Sequence, residues 1–260
     1  MSQNEPRDEG AFAAPSPLSR AAERKATTGR ITLGLLGAAL IAAGAMLEFG
    51  GSIVALAIIG VIMLMGWPTL LAVRHATRIR TMIALVLLVA LGVANWGTPE
   101  VMSLVVALAV AGSFGVNMLP AKHRTQVLEQ AGATFTGSLL AVTVAMWAFV
   151  WDTALGQAQV LIFAAVIAVA AILESIETRI SHLLAFINGI AVGIFGAWLG
   201  DLPLWVGAAI GLCVVLCYVL TERAVREAPR PSPMLAGSAR ALIPHCALGM
   251  AAYVLALVIV

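Results

Sequence analysis

Nine apolar runs separated by short polar interruptions account for almost all of the chain after residue 30. They lie at 31–48, 52–73, 81–96, 100–119, 131–151, 156–174, 182–200, 203–221 and 241–260. Each is close to the ~20 residues that cross ~30 Å of hydrocarbon as an α-helix rising 1.5 Å per residue. Lipid offers backbone N–H and C=O groups no partner outside their own segment, so such runs must be helical. A β-barrel would show strands of about ten residues in strict alternation, and no such alternation occurs. The pattern predicts an all-α, polytopic transmembrane helix bundle of nine spans over residues 31–260.

Residues 1–30 break the pattern. They mix both charge signs with Pro, Ser and Ala and have no apolar period, so they bury too little surface to offset their ordering entropy. A disordered cytoplasmic tail is the expectation. No clear small-x-small cleavage site ends the first apolar run, and a long polar stretch precedes it, so it reads better as the first helix than as a signal peptide.

Charge then orients the spans. Nine spans divide the connections into two alternating sets. The tail and the loops near 74–80, 120–130, 174–181 and 222–240 carry five, three, two, one and four basic residues, which is every one of the fifteen Lys and Arg. The loops near 49–51, 97–99, 152–155 and 201–202 carry none. By the positive-inside rule the N-terminus is expected in the cytoplasm and the C-terminus outside. Each basic-free turn contains or borders one acid, Glu48, Glu100, Asp152 or Asp201, at spacings of 52, 52 and 49 residues. This spacing fits a fifty-residue helical hairpin used four times with a ninth helix added. It equally fits two spans and short loops, with acids tolerated where arginine is avoided.

Composition removes several classes of function. The chain is 61% hydrophobic and 11% charged with mean hydropathy +1.00, against about 45–50% and roughly 25% for a soluble domain. A net charge of +2, with basic residues sorted by side, gives no patch for nucleic acid. Cys213, Cys217 and Cys246 all lie in apolar runs without C-x-x-C or zinc-ligand spacing and read as small hydrophobes. No G-x-x-x-x-G-K-[ST], H-E-x-x-H or G-x-S-x-G occurs, so neither a cofactor, a metal nor an enzymatic activity is expected. Two lysines against thirteen arginines, with abundant Ala, Gly and Val, suit the GC-rich codons of a high-GC bacterium.

Two kinds of residue stand out within the spans. Gly189, Gly193, Gly196 and Gly200 follow one another at i, i+4, i+7 and i+11, and Gly207 and Gly211 open the next span. Small-xxx-small faces let helix backbones approach closely in lipid, so spans seven and eight are expected to form a tight hairpin, or span seven to pack on another helix. Ala164, Ala168 and Ala171 make a similar face on span six. Polar groups inside spans are costly and mark functional candidates. Ser113 and Asn117, Thr134 and Ser138, Glu174, His182 and Asn188 gather toward the basic half of spans four to seven, where they would line one inward-open polar cavity if those spans pack together. Glu174, Asn188, Asn117 and His182 are the candidate substrate or ion pathway, with Glu174 as the proton- or cation-binding carboxylate and His182 as its neighbour. The competing readings are a solvated helix end for Glu174 and interhelical hydrogen bonding for the asparagines. His245, beside Pro244, is expected in the first turn of span nine at the interface.

The stretch SFGVNMLPAKHRTQVLEQAGATFTGSLLAV, with its span-four end, short basic loop and small-residue span five, resembles a group of small actinobacterial integral membrane proteins labelled as permeases. The resemblance implies a bacterial plasma-membrane location and a transport role without a stated substrate; it carries over no functional residue. The expected function is a permease-like secondary carrier of a small solute or lipid in contact with the bilayer. The alternative is a non-transporting scaffold or assembly partner of a cell-envelope complex, in which the glycine faces bind a second copy or another membrane protein. An intramembrane lipid-modifying enzyme ranks third and requires Glu174 and His182 in contact at a lipid-accessible groove.

Overall fold

A computed structural model describes residues 17–47, 49–73, 76–118, 127–153, 155–174, 181–226 and 233–259. The described residues form helices α1 (Pro17–Met46), α2 (Phe49–Leu70), α3 (Ala76–Trp96), α4 (Pro99–Met118), α5 (Val127–Trp151), α6 (Gly156–Glu174), α7 (Ser181–Leu199), α8 (Leu204–Arg226) and α9 (Pro233–Ile259), with no strand among them. Eight of these helices are long and apolar enough to cross a membrane, and α7 contributes the shorter apolar stretch Leu183–Leu199. The chain is a multi-pass membrane protein. Large apolar side chains such as Leu88, Leu104, Leu108, Phe195 and Leu199 stand exposed on the outside of the bundle, an arrangement suited to lipid and unsuited to water.

Two boundaries differ from those read from the apolar runs. Helix α1 begins at Pro17, inside the segment expected to be a disordered tail; residues 1–16 lie outside the described residues. The polar stretch after Pro17 is rich in Leu, Ala, Arg, Glu and Lys, all strong helix formers. Extending a helix already held in the bundle adds one hydrogen bond per residue without a new nucleus. Helix α9 likewise begins at Pro233, eight residues before the apolar run at 241. Helices α1, α4 and α9 all start on proline, whose fixed φ and missing N–H suit the first helical position.

The ninth helix is not an appendage. Helix α9 runs through the middle, packed against α1, α2, α5, α6 and α8. Helix α5 is the second core element, packed against α2, α3, α4 and α9, with fourteen buried residues. The α3–α4 pair flanks α5 on one side. On the other, α6 lies against α1 and carries α7 and α8. Trp147 and Phe163, both fully buried, meet edge to face at 5.3 Å where α5 and α6 approach α9.

The turns at the two ends have different chemistry. Trp96, Trp198 and Trp205 are all more than half exposed beside the turns that carry Glu100 and Asp201, as expected for indoles in a headgroup layer. Helix α7 closes there with Asp201 at φ 53° and the Leu202 N–H donating to the Ala197 carbonyl at 2.9 Å, the six-to-one bond of a Schellman cap. At the arginine-bearing end α2 contains Pro68, and Arg80 of α3 donates to the Met65 carbonyl at 2.9 Å and to Thr69 Oγ1 at 3.1 Å. Helix α2 then ends in a second Schellman cap, with Ala72 at φ 50°.

Candidate functional site

The α7–α8 hairpin sets the register of its side of the bundle. A methyl group added at Gly193 would meet the Gly207 backbone, and one added at Gly211 would meet the Gly189 carbonyl. Glycine is required because backbone touches backbone. Gly196 and Gly200 face another way, toward Ile162 and Ala158 of α6. The glycines of α7 thus serve two neighbours within the same chain, Gly189 and Gly193 against α8 and the other two against α6.

Following this register toward the basic end places the remaining candidates by level. His182 precedes Gly189 by seven residues and Tyr218 follows Gly211 by seven, so the two backbones stand at one depth. Asn188 lies at the level of Ala170, the first eight residues before Gly196 and the second eight after Ile162, which Gly196 faces. Its amide donates to the Leu184 carbonyl of its own helix at 2.8 Å. Glu174 closes α6 and His182 is the second residue of α7; their side chains lie outside the described residues.

Among the described residues, helices four to seven do not pack together as a single shared cavity requires. Helix α4 packs on α3 and α5, whereas α7 packs on α6 and α8. Asn117 and Asn188 therefore belong to opposite sides of the bundle. Asn117 joins a seam between α4 and α5, where its Nδ2 donates to Thr134 Oγ1 at 3.1 Å and to the Ser113 carbonyl at 2.7 Å. In antiparallel register the next pair inward is Ser113 and Ser138, both fully buried. Ser113 Oγ donates to the Ala109 carbonyl at 2.6 Å, and Ser138 Oγ has no hydrogen-bond partner.

One fully buried ionisable group is a residue that the sequence reading put at an interface. His245 lies twelve residues beyond Pro233, far from the first turn of α9, and is fully buried. Its Nε2 is 2.9 Å from the Gly34 carbonyl of α1. Gly37, one turn on, lies flat against the ring, where a methyl group would overlap it. The Tyr218 ring of α8 stands 6.4 Å from the imidazole, centre to centre. Trp147 Nε1 of α5 donates to the His245 carbonyl at 2.9 Å. Gly34 also touches Ala171 of α6, three residues before Glu174. Helices α1 and α8 thus meet the imidazole itself, α5 holds the carbonyl of the same residue, and α6 packs behind Gly34.

A second polar contact reaches α9 two turns nearer the acidic end, where Gln159 Nε2 of α6 donates to the Ala252 carbonyl at 2.8 Å and its Oε1 is buried without a partner. Neither Gln159, Trp147 nor Tyr218 was singled out from the sequence. The usable signal was Pro244-His245-Cys246 inside an apolar run, obscured because the true start of α9 lies upstream of that run. Among the described residues no group of three or more His, Cys, Asp or Glu is placed to hold a metal ion. Comparison with protein-family models, with curated proteins and with solved structures finds no match.

Proposed function

We propose that this protein is a permease-like secondary carrier of a small solute, with its binding layer around His245, near the middle of α9. The observation that supports this reading is a fully buried imidazole on the central helix α9, directly after Pro244, with Nδ1 left without a hydrogen-bond partner. Ionisable groups inside a membrane are expensive and mark pathways or binding sites. A proline within the helix removes one backbone hydrogen bond and supplies a place where the helix can bend. The candidates Glu174 and His182 lie at the basic ends of α6 and α7, and Asn188 stands at nearly the depth of His245.

The scaffold alternative drew its motive from glycine faces open to a partner. Those of α7 and α8 are occupied within the chain, by each other and by α6, which leaves the carrier reading with the stronger support. The test is solute flux in proteoliposomes, using a panel of radiolabelled amino acids, sugars, nucleosides and organic acids. At least one should accumulate above protein-free vesicles, with loss on His245→Ala and reduction by Glu174→Gln. Uptake at the protein-free level across the panel, together with stoichiometric co-purification of another membrane protein, would overturn the carrier reading in favour of the scaffold.

A further inference from the structure

We infer that His245 is a proton-binding site; as the coupling site of a carrier it rests on the function proposed above, but as a proton site it stands on geometry alone. The Gly34 carbonyl can only accept, so its partner Nε2 carries the ring proton. In the neutral ring Nδ1 is then a bare lone pair, and nothing in its fully buried surroundings donates to it. The polar group within reach of the ring on its own helix is the Ala241 carbonyl one turn earlier, another acceptor. A lone pair facing an acceptor is an unsatisfied arrangement, and burial makes it costly. One proton resolves it: a new N–H bond forms at Nδ1, the ring becomes imidazolium, Nε2 keeps its bond to the Gly34 carbonyl, and Nδ1 turns from a lone pair into a donor on the side of the Ala241 carbonyl.

The surroundings bear on the charge that this step creates. Helix α8 presents the Tyr218 ring and Cys217, whose Sγ lies 3.8 Å from the Pro244 carbonyl. Helix α9 itself adds buried Cys246. The one ionisable residue of α6 is Glu174, three residues past the Gly34–Ala171 contact. Arg30 of α1 and Arg240 of α9 lie one turn nearer the basic end and oppose the new charge; each has an interaction partner of its own. Helix α5 contributes the uncharged Trp147 and α2 no ionisable group at this level. Burial works against the imidazolium, and donation to a backbone carbonyl offsets part of that cost.

The experiment uses the full-length chain in lipid nanodiscs of phosphatidylethanolamine and phosphatidylglycerol, labelled with 15N-histidine. The chain has four histidines, and His245 is assigned from the spectrum of His245→Gln, or from a His75→Asn, His123→Asn, His182→Asn variant if that protein fails to fold. As the pH falls from about 8 to about 4, a window spanning the imidazole range, Nδ1 of His245 should move from the unprotonated to the protonated region while Nε2 stays protonated. A ring that keeps one bare nitrogen throughout overturns the inference. A second arm follows proton entry with a pH-sensitive dye trapped in proteoliposomes under an imposed pH gradient. If His245 titrates and no solute drives proton movement, the proton site stands and the carrier reading fails. If solute moves without protons while the ring stays neutral, the carrier reading stands and the proton site fails.

Discussion

The indole N–H of Trp147 donates to the backbone carbonyl of His245 at 2.9 Å across the α5–α9 contact, so a side chain of one core helix holds the backbone of the other beside its proline. The same indole packs against Gly249, where a side chain would collide with it and with the Thr143 carbonyl. Trp147→Phe keeps most of the ring and removes the donor, which should cost about 1 kcal/mol. Trp147→Ala empties a fully buried site and should cost about 3–5 kcal/mol. Thermal unfolding in detergent reads both; equal losses for the two variants would show that the hydrogen bond, not the packing, dominates.

Close approach at Gly193 and Gly207 yields a paired prediction. Gly193→Ala places a methyl group against the Gly207 backbone, which cannot step aside as a flexible side chain would, and overpacking of this kind should destabilise by about 1–3 kcal/mol. Gly132→Ala on α5 meets nothing within 4 Å and should stabilise by roughly 0.5–1 kcal/mol through helix propensity alone. Opposite shifts in melting temperature are expected, and shifts of the same sign would contradict the α7–α8 contact.

Ala72 is a non-glycine residue in the left-handed region at the end of α2, with Val73 N–H donating to the Pro68 carbonyl and Ala72 N–H to the Thr69 carbonyl, each at 3.2 Å. A left-handed L-residue costs roughly 1–2 kcal/mol, so Ala72→Gly should raise stability by about 1 kcal/mol after its larger unfolded-state entropy is counted. Ala72→Val should lower it. If both variants melt with the wild type, the cap is not formed.

How much of this was legible in the sequence depended on which physical signal each feature leaves. Membrane crossing leaves a long, strong one, and the nine helices overlie the nine apolar runs. Glycines 189, 193, 207 and 211 were legible because backbone contact demands a missing side chain at fixed spacing. The partners of each helix were not, because in lipid every span is apolar on all faces and periodicity no longer marks the buried side. Hence α9, last in sequence, gave no sign of being central, and α4 and α7 gave none of standing apart. His245 was misplaced for a related reason: polar residues of α9 before position 241 hid the helical start at Pro233, so a residue in the fourth turn looked like one in the first.

The α4–α5 seam allows the hydrogen-bonding reading of Asn117 to be measured directly. Asn117 and Thr134 bond across the helices, so Asn117→Ala and Thr134→Val should show a coupling of about 0.6 kcal/mol in a double-mutant cycle, the size found for interhelical bonds in membranes. One turn deeper the expectation reverses. Ser138 is as buried as Ser113 but its hydroxyl has no partner, and removing an unsatisfied buried hydroxyl relieves a penalty of about 1–3 kcal/mol. Ser138→Ala should therefore raise the melting temperature, while Ser113→Ala, which loses its bond to the Ala109 carbonyl, should lower it or leave it unchanged. A clear loss of stability in Ser138→Ala would mean that the hydroxyl is satisfied by a buried water bridging it to Ser113, a role such waters commonly fill between paired polar groups.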